Sequence, residues 1–193
     1  MPIHIVSGDL FANRYHAQAL AQGVNCRGSM GAGIAVGFRE RYPEMYEEYR
    51  RQCKAQPREL NPGDVFLWRA ETGQPWVFNV ATQEDYWRSR ATYTAIEQGL
   101  RGVLALADSV GVHSLASPRI GAGYGGLSWK KVRAIFAAVF GDWTGDLYLY
   151  ETFAAEGDAE DEAEVVRAKT QADDVSQNDK KLYHTGQTIV QNV

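Results

Sequence analysis

Two cysteines, Cys26 and Cys53, are all the thiol chemistry that 193 residues offer. With no second pair and no histidine near them at metal-ligand spacing, neither a disulfide framework nor a zinc site is expected to organise the chain. A membrane span is not expected either. No apolar run approaches the ~20 residues needed to cross a bilayer. The first residues, MPIHIVSGD, lack the charged start and apolar centre of a secretion signal. The expected location is therefore the cytoplasm or its equivalent. An excess of positive charge is also missing: the formal net charge is -4, unevenly spread. Residues 1–155 carry 16 Lys and Arg against 15 Asp and Glu, whereas residues 156–193 carry 4 against 9. A nearly neutral body gives no argument for strong electrostatic binding of nucleic acid.

What is present is enough apolar residue, 45%, to bury the core of one domain. Met1 to Val6 reads as a short strand ending at Ser7-Gly8-Asp9. Asp9 is placed either to accept hydrogen bonds from a ligand or to close an Asx turn or cap. Ala17 to Asn25 reads as the next strand, and a helix follows from Gly33 toward Tyr42. Pro43 suits the first turn of another helix, with Met45, Tyr46, Tyr49 and Cys53 on one side and charge elsewhere. Val65–Trp68 and Trp76–Ala81 read as strands joined by a turn at 71–74. A polar loop, TQEDYWRSR, leads to a helix with Tyr93, Ile96, Leu100, Val103, Leu104 and Ala107 on its apolar face. Val112–Ser117 is a further strand. A helix then starts at Ser128, read as its N-cap, and Leu147–Tyr150 is a last strand. Helices between strands throughout predict an α/β sheet sandwiched by helices. Residues 156–193 change character to an acidic, polar segment expected to be a flexible tail or exposed helix, with a partner of its own as one option.

Two stretches concentrate glycine where a strand gives way to a helix. The first is NCRGSMGAGIAVGF, Asn25 to Phe38, with Gly28, Gly31 and Gly33; the second is PRIGAGYGGLSW, Pro118 to Trp129. Glycine lets a ligand approach the main chain, and a helix start supplies free N–H groups and the positive end of a dipole. Two such loops in one small domain predict a shared ligand with more than one phosphate, a diphosphate being the economical choice.

With GDLF (Gly8 to Phe11), VNCRGSMGAGIAVGF (Val24 to Phe38), NVATQ (Asn79 to Gln83) and SPRIGAGYGGLSW (Ser117 to Trp129) in that order, the chain resembles a macrodomain. It is most similar to the branch of terminal ADP-ribose protein glycohydrolases and of antitoxins that remove ADP-ribose from DNA. The resemblance covers roughly residues 2–152, and the expected organisation is a macrodomain over 1–155 followed by the acidic tail. It implies a three-layer α/β/α fold with a mixed central sheet, a cleft at the carboxyl ends of the strands, and ADP-ribose or an ADP-ribosylated macromolecule as partner. It implies no cofactor, no metal and no membrane. Carried over by position, Asp9 accepts from the adenine amino group, Leu10 N–H faces the adenine ring, and Asn25 lies near the distal ribose. Gly31, Ala32, Gly33 and Ile34 of the first loop and Ile120, Gly121, Ala122, Gly123 and Tyr124 of the second hold the diphosphate, Tyr124 packing over the distal ribose.

The chain departs from that branch in its chemistry. The branch's lysine falls at Gln83 and its loop acid at Gly125. Gln83 cannot form a Schiff base. Other macrodomains hydrolyse ADP-ribose esters without that lysine, using a water held between the ligand's phosphate and the backbone, and the resemblance implies that substrate-assisted route here. The candidate catalytic residues are Asn25, Gln83 and Glu84. Glu84, Asp85, Tyr86 and Arg88 either line the cleft mouth or form an ordinary solvated loop, and Trp87 either stacks on a base or caps the core. Three functions follow as alternatives: an ADP-ribosyl hydrolase, a non-catalytic reader of ADP-ribose, and, at a distance, a Rossmann-type dehydrogenase. The last needs a G-x-G-x-x-G after the first strand, where this sequence has GDLF.

Overall fold

The computed structural model describes residues 3–152. The acidic segment 156–193 and the expected boundary at residue 155 lie outside the described residues. Six strands run β1 (Ile3–Ser7), β2 (Ala19–Asn25), β3 (Val65–Trp68), β4 (Trp76–Gln83), β5 (Ser114–Pro118) and β6 (Asp146–Thr152). Four helices connect them: α1 (Ile34–Arg41), α2 (Pro43–Lys54), α3 (Tyr93–Val110) and α4 (Trp129–Phe140). The sheet order is β1-β6-β5-β2-β4-β3, parallel except for β3, which pairs antiparallel with β4. The sheet is therefore mixed, as expected.

Period-two alternation divides the core into two layers. Ala19 and Ala21 of β2, Phe78 and Val80 of β4, Leu115 of β5 and Leu147 and Leu149 of β6 face α3 and α4. Leu20 and Val24, Val77 and Ala81, Ala116 and Tyr150 face α1 and α2. Helices α2, α3 and α4 present the stripes their spacing predicts, whereas α1 buries only Phe38. Ile96, Leu100, Val103 and Ala107 of α3 are buried, as are Val132, Phe136, Val139 and Phe140 of α4 and Met45, Tyr49 and Cys53 of α2. The charges of α2 lie outside, where Arg51 joins Glu48 and Glu59 at 2.8 Å each.

Element ends shift where side chains intervene. β2 begins at Ala19 rather than Ala17, because Asn13 clamps Ala17 from both sides, its Oδ1 accepting from the Ala17 N–H at 2.9 Å and its Nδ2 donating to the carbonyl at 3.0 Å. β4 reaches Gln83 rather than stopping at Ala81, and β5 spans Ser114–Pro118. The side chain of Ser128 makes no capping bond; its N–H instead donates to the Tyr93 hydroxyl at 3.2 Å.

One feature of the sheet creates a cleft. β2 and β5 pair only through Ala19↔Leu115 and Leu20↔Ala116. Beyond those residues the two strands continue unpaired with each other, so their carboxyl ends part. The chain leaves β2 toward α1 on one side of the sheet and β5 toward α4 on the other, so the two glycine loops flank the opening. In open α/β sheets ligands bind at such a switch point.

Candidate functional site

Two compartments open at the carboxyl ends of the strands. One, of about 650 Å³, is lined by Gly8, Asp9, Leu10 and Phe11 after β1, by Gly33, Ile34, Gly37 and Arg41 of the first loop and α1, and by Tyr150, Glu151 and Thr152 of β6. The other, of about 560 Å³, is lined by Asn25 and Met30 to Ala35, by Thr82, Gln83 and Tyr86, and by Ile120, Gly121, Tyr124 and Gly125. Gly33, Ile34, Pro118, Arg119 and Gly123 line both. The two glycine loops are thus the seam where the compartments meet.

The first loop is built by Asn25. Its Oδ1 accepts from the Arg27 N–H at 2.9 Å, its Nδ2 donates to the Ser29 carbonyl at 2.7 Å, and the buried Tyr49 hydroxyl donates to its own carbonyl at 2.7 Å. These bonds fold residues 25–29 and leave one hydrogen on Nδ2. Past them, the amides of Gly31, Ala32, Gly33 and Ile34 have no protein acceptor among the described residues. Gly33 caps α1 at φ 59°, ψ -149°, a conformation closed to residues with a Cβ. An added Cβ there would lie 3.3 Å from the Tyr124 ring, so Tyr124 reaches across from the second loop and rests on the first.

The second loop is internally braced. Ala122 N–H donates to the Arg119 carbonyl at 3.2 Å and Leu127 N–H to that of Gly121 at 3.0 Å, whereas the amides of Gly121, Gly123 and Tyr124 point to no protein acceptor among the described residues. Ala122 thus lines the cleft with its N–H already engaged. Gly125 is buried, and a Cβ on it would stand 2.6 Å from the Gly121 carbonyl oxygen and 2.9 Å from the Ala91 Cβ. An acidic side chain is not merely missing at this position; the winding of the loop excludes it.

At the other end, Asp9 takes the capping role and stands at the wall of the cleft. It caps the 3-10 turn Leu10–Ala12, its Oδ1 accepting from the Phe11 N–H at 2.9 Å, and it lines the compartment of about 650 Å³. The Leu10 N–H has no protein acceptor among the described residues. Phe11 packs against Phe38 at 4.8 Å and lies so close to Gly37 that a Cβ there would come within 2.6 Å of its ring. The Arg41 guanidinium covers the same ring at 4.1 Å. Tyr150 adds a buried hydroxyl with no partner among the described residues, which burial pushes up to about 12, with Tyr15 and Asp9 adding to the shift.

Gln83 and Asn25 are direct partners on adjacent strands, and Cys26 N–H donates to both the Gln83 and Glu84 carbonyls at 3.1 Å. Gln83 Nε2 donates to the Asp85 carbonyl at 2.8 Å, which turns its amide oxygen into the free end. Glu84 is not brought into either compartment. Arg58 grips both its oxygens, at 2.5 and 2.9 Å, and Arg27 stands 3.4 Å away. The bond from Arg58 lowers its titration below the ordinary carboxylate value, so Glu84 is an anchored anion rather than a poised base. Cys26, beside Asn25, is pushed up to about 12 by burial, with Arg58 opposing, and is no nucleophile at neutral pH. Sequence reasoning did not single out Arg41, Arg119, Met30, Thr82 or Tyr150. Arg119 sits inside the second glycine motif and was legible as a cation beside a phosphate loop; the others enter only through tertiary contact.

A family model described as Macro domain matches residues 21–136, from β2 into α4. A curated relative, the DNA ADP-ribosyl glycohydrolase of Mycobacterium tuberculosis, is 36% identical over 138 residues, which is 69% of this chain and 37% of that protein. The chain therefore spans little more than a third of that relative's length. Among solved structures, the macrodomain of Mycobacterium tuberculosis DarG matches with a TM-score of 0.69 at 33% identity, covering 77% of this chain and 96% of the other. Thermosipho africanus DarTG in complex with ADP-ribose matches with a TM-score of 0.70 at 26% identity, covering 80% and 42%. With its sheet order, its two glycine loops and these likenesses, the chain belongs to the macrodomain family.

Proposed function

We propose that the cleft binds ADP-ribose and hydrolyses ADP-ribosyl linkages without a covalent lysine. The observation that carries this reading is the seam: unpaired main-chain N–H groups from two loops converge where two compartments join, with Arg119 beside both. Such donors suit a diphosphate between two nucleoside-sized halves. Adenosine then occupies the Asp9 compartment, with Asp9 on the adenine amino group and Leu10 N–H toward the ring. The distal ribose occupies the Asn25 compartment under Tyr124.

Hydrolysis adds water to the anomeric carbon as the bond to the leaving group breaks. In this proposal a diphosphate oxygen of the ligand accepts the water's proton, the free Gln83 oxygen and the Asn25 amide orient water and ribose, and loop N–H groups hold the phosphate in place. A specific observation favours a second reading, a reader that binds without turnover: an amide stands at 83, and position 125 is closed to any side chain.

Calorimetric titration with ADP-ribose, run beside turnover of ADP-ribosylated protein and DNA, tests both. Binding with turnover is expected. Binding without turnover would select the reader, and no binding would remove the ligand assignment. Asp9→Ala is expected to weaken ADP-ribose binding by about 1.5–3 kcal/mol, the size of a hydrogen bond to a charged group; an unchanged Kd would show that adenine lies elsewhere.

A further inference from the structure

Immediately after Gln83 the chain makes a turn whose aromatics are left outside. Tyr86 is 58% and Trp87 57% exposed, their rings edge to face at 4.3 Å. The turn is closed from within. The buried Asp85 carboxylate accepts from the N–H groups of Trp87, Arg88 and Ser89 at 3.2, 2.5 and 3.1 Å, and Ser89 Oγ accepts from the Asp85 N–H at 2.8 Å. Trp87 therefore does not cap the core: it is held in water on a braced support. Tyr86 lines the Asn25 compartment, and Tyr124, 82% exposed, stands on the opposite loop.

The charge on this rim is one-sided. Glu84 is neutralised by Arg58 and Arg27, and Asp85 is satisfied by main-chain N–H groups. Arg88, 5.9 Å over the Trp87 ring, and Arg90, whose guanidinium occupies the space that a side chain at Gly126 would need, join no ion pair among the described residues. Flat aromatic faces beside unpaired arginines at the mouth of a nucleotide-sized cleft are the elements that hold single-stranded polynucleotides, bases on the rings and phosphates on the cations.

We infer that the Tyr86-Trp87-Arg88 turn is a second binding site, a stacking platform for the single-stranded polynucleotide to which the ADP-ribose in the cleft is attached. The inference rests on the cleft binding ADP-ribose and adds what lies beyond the distal ribose. A peptide carrier fits less well, since the turn offers no sheet edge and the N–H groups of Trp87, Arg88 and Ser89 are used internally. The turn itself brings two cations, Arg88 and Arg90, so the contact is short and its salt dependence shallow, a slope of about -1.4 for two phosphates of a single strand. This is compatible with the neutral charge of the body, because the site recruits a carrier already tethered by its ADP-ribose.

The test measures Kd by fluorescence anisotropy, on a timescale short against turnover, for free ADP-ribose, for a labelled hexanucleotide bearing ADP-ribose on one base, in deoxy and ribo forms, and for an ADP-ribosylated glutamate peptide. The full chain is used as wild type, Trp87→Ala and Trp87→Phe. Wild type is expected to bind the modified strand roughly tenfold more tightly than free ADP-ribose. Trp87→Ala should lose that advantage with free ADP-ribose unchanged, and Trp87→Phe should keep most of it. The deoxy and ribo arms decide which strand is preferred. Equal Kd for strand and free ADP-ribose, a Trp87→Ala loss that extends to free ADP-ribose, or a larger gain for the peptide each overturns the platform. Failure of free ADP-ribose to bind removes the proposed function, and the platform with it.

Discussion

Glu84 shows how one residue can be legible as important and still be misread in its role. Its position after Gln83 suggested an acid or base at the cleft mouth, but Arg58, 26 residues earlier in the chain, takes both its oxygens. Nothing local announces a partner at that distance. The pair ties the end of β4 to the loop after α2, and its side chains are 23% and 38% exposed, so water weakens it to at most about 1 kcal/mol. The Glu84 carboxyl titrates below its ordinary 4.5 because of Arg58. Its contribution is therefore complete above that ordinary value and disappears as pH falls through the lowered one. Glu84→Gln should lower the melting temperature at pH 7, and the gap to wild type should narrow as pH falls below 4.5 and close once the pH has passed the lowered value. Thermal melts across pH 3–7 check this; a gap that does not change with pH would mean the carboxylate charge contributes nothing. Asn25 makes the complementary case. Its place at a strand end was readable, but the bonds that commit it to shaping residues 25–29 depend on Ser29 and Tyr49 arriving by folding.

At the level of elements, the glycine loops were readable because their reason is local: a strand ends, a helix begins, and the backbone between must bend and stay open. What local reasoning could not separate is the different purpose of each glycine. Gly33 serves φ, at 59°, and makes room for Tyr124, whereas a Cβ on Gly123 would meet no protein atom within 4 Å. The fold therefore does not need glycine at 123, and the space beside it belongs to the cleft. Gly123→Glu should fold with a melting temperature close to wild type and bind no ADP-ribose, since its carboxylate would face the diphosphate. Calorimetry on the folded variant checks it, and normal binding would place the diphosphate away from this loop. The short β2–β5 pairing that opens the cleft was invisible beforehand. Both strands read as apolar runs, and how far two strands stay paired depends on the loops they feed rather than on their own residues.

For the molecule as a whole, the alternation of strands and helices was enough to predict three layers, because each buried face repeats with its own period. Charge asymmetry was equally plain, with the surplus acid confined to residues 156–193. If the cleft is built wholly within 1–155, ligand linkage should be a property of that segment. A ligand that binds only the folded state at a hundred times its Kd stabilises by about 2.7 kcal/mol. In a domain of this size that raises the melting temperature by roughly 5–10 °C. The full chain and a 1–155 fragment should therefore show the same shift with saturating ADP-ribose, and Gly123→Glu should show none in either. Differential scanning calorimetry reads all four. A smaller shift in the fragment would mean that residues 156–193 contribute to ligand linkage, and the cleft would then not be complete within 1–155.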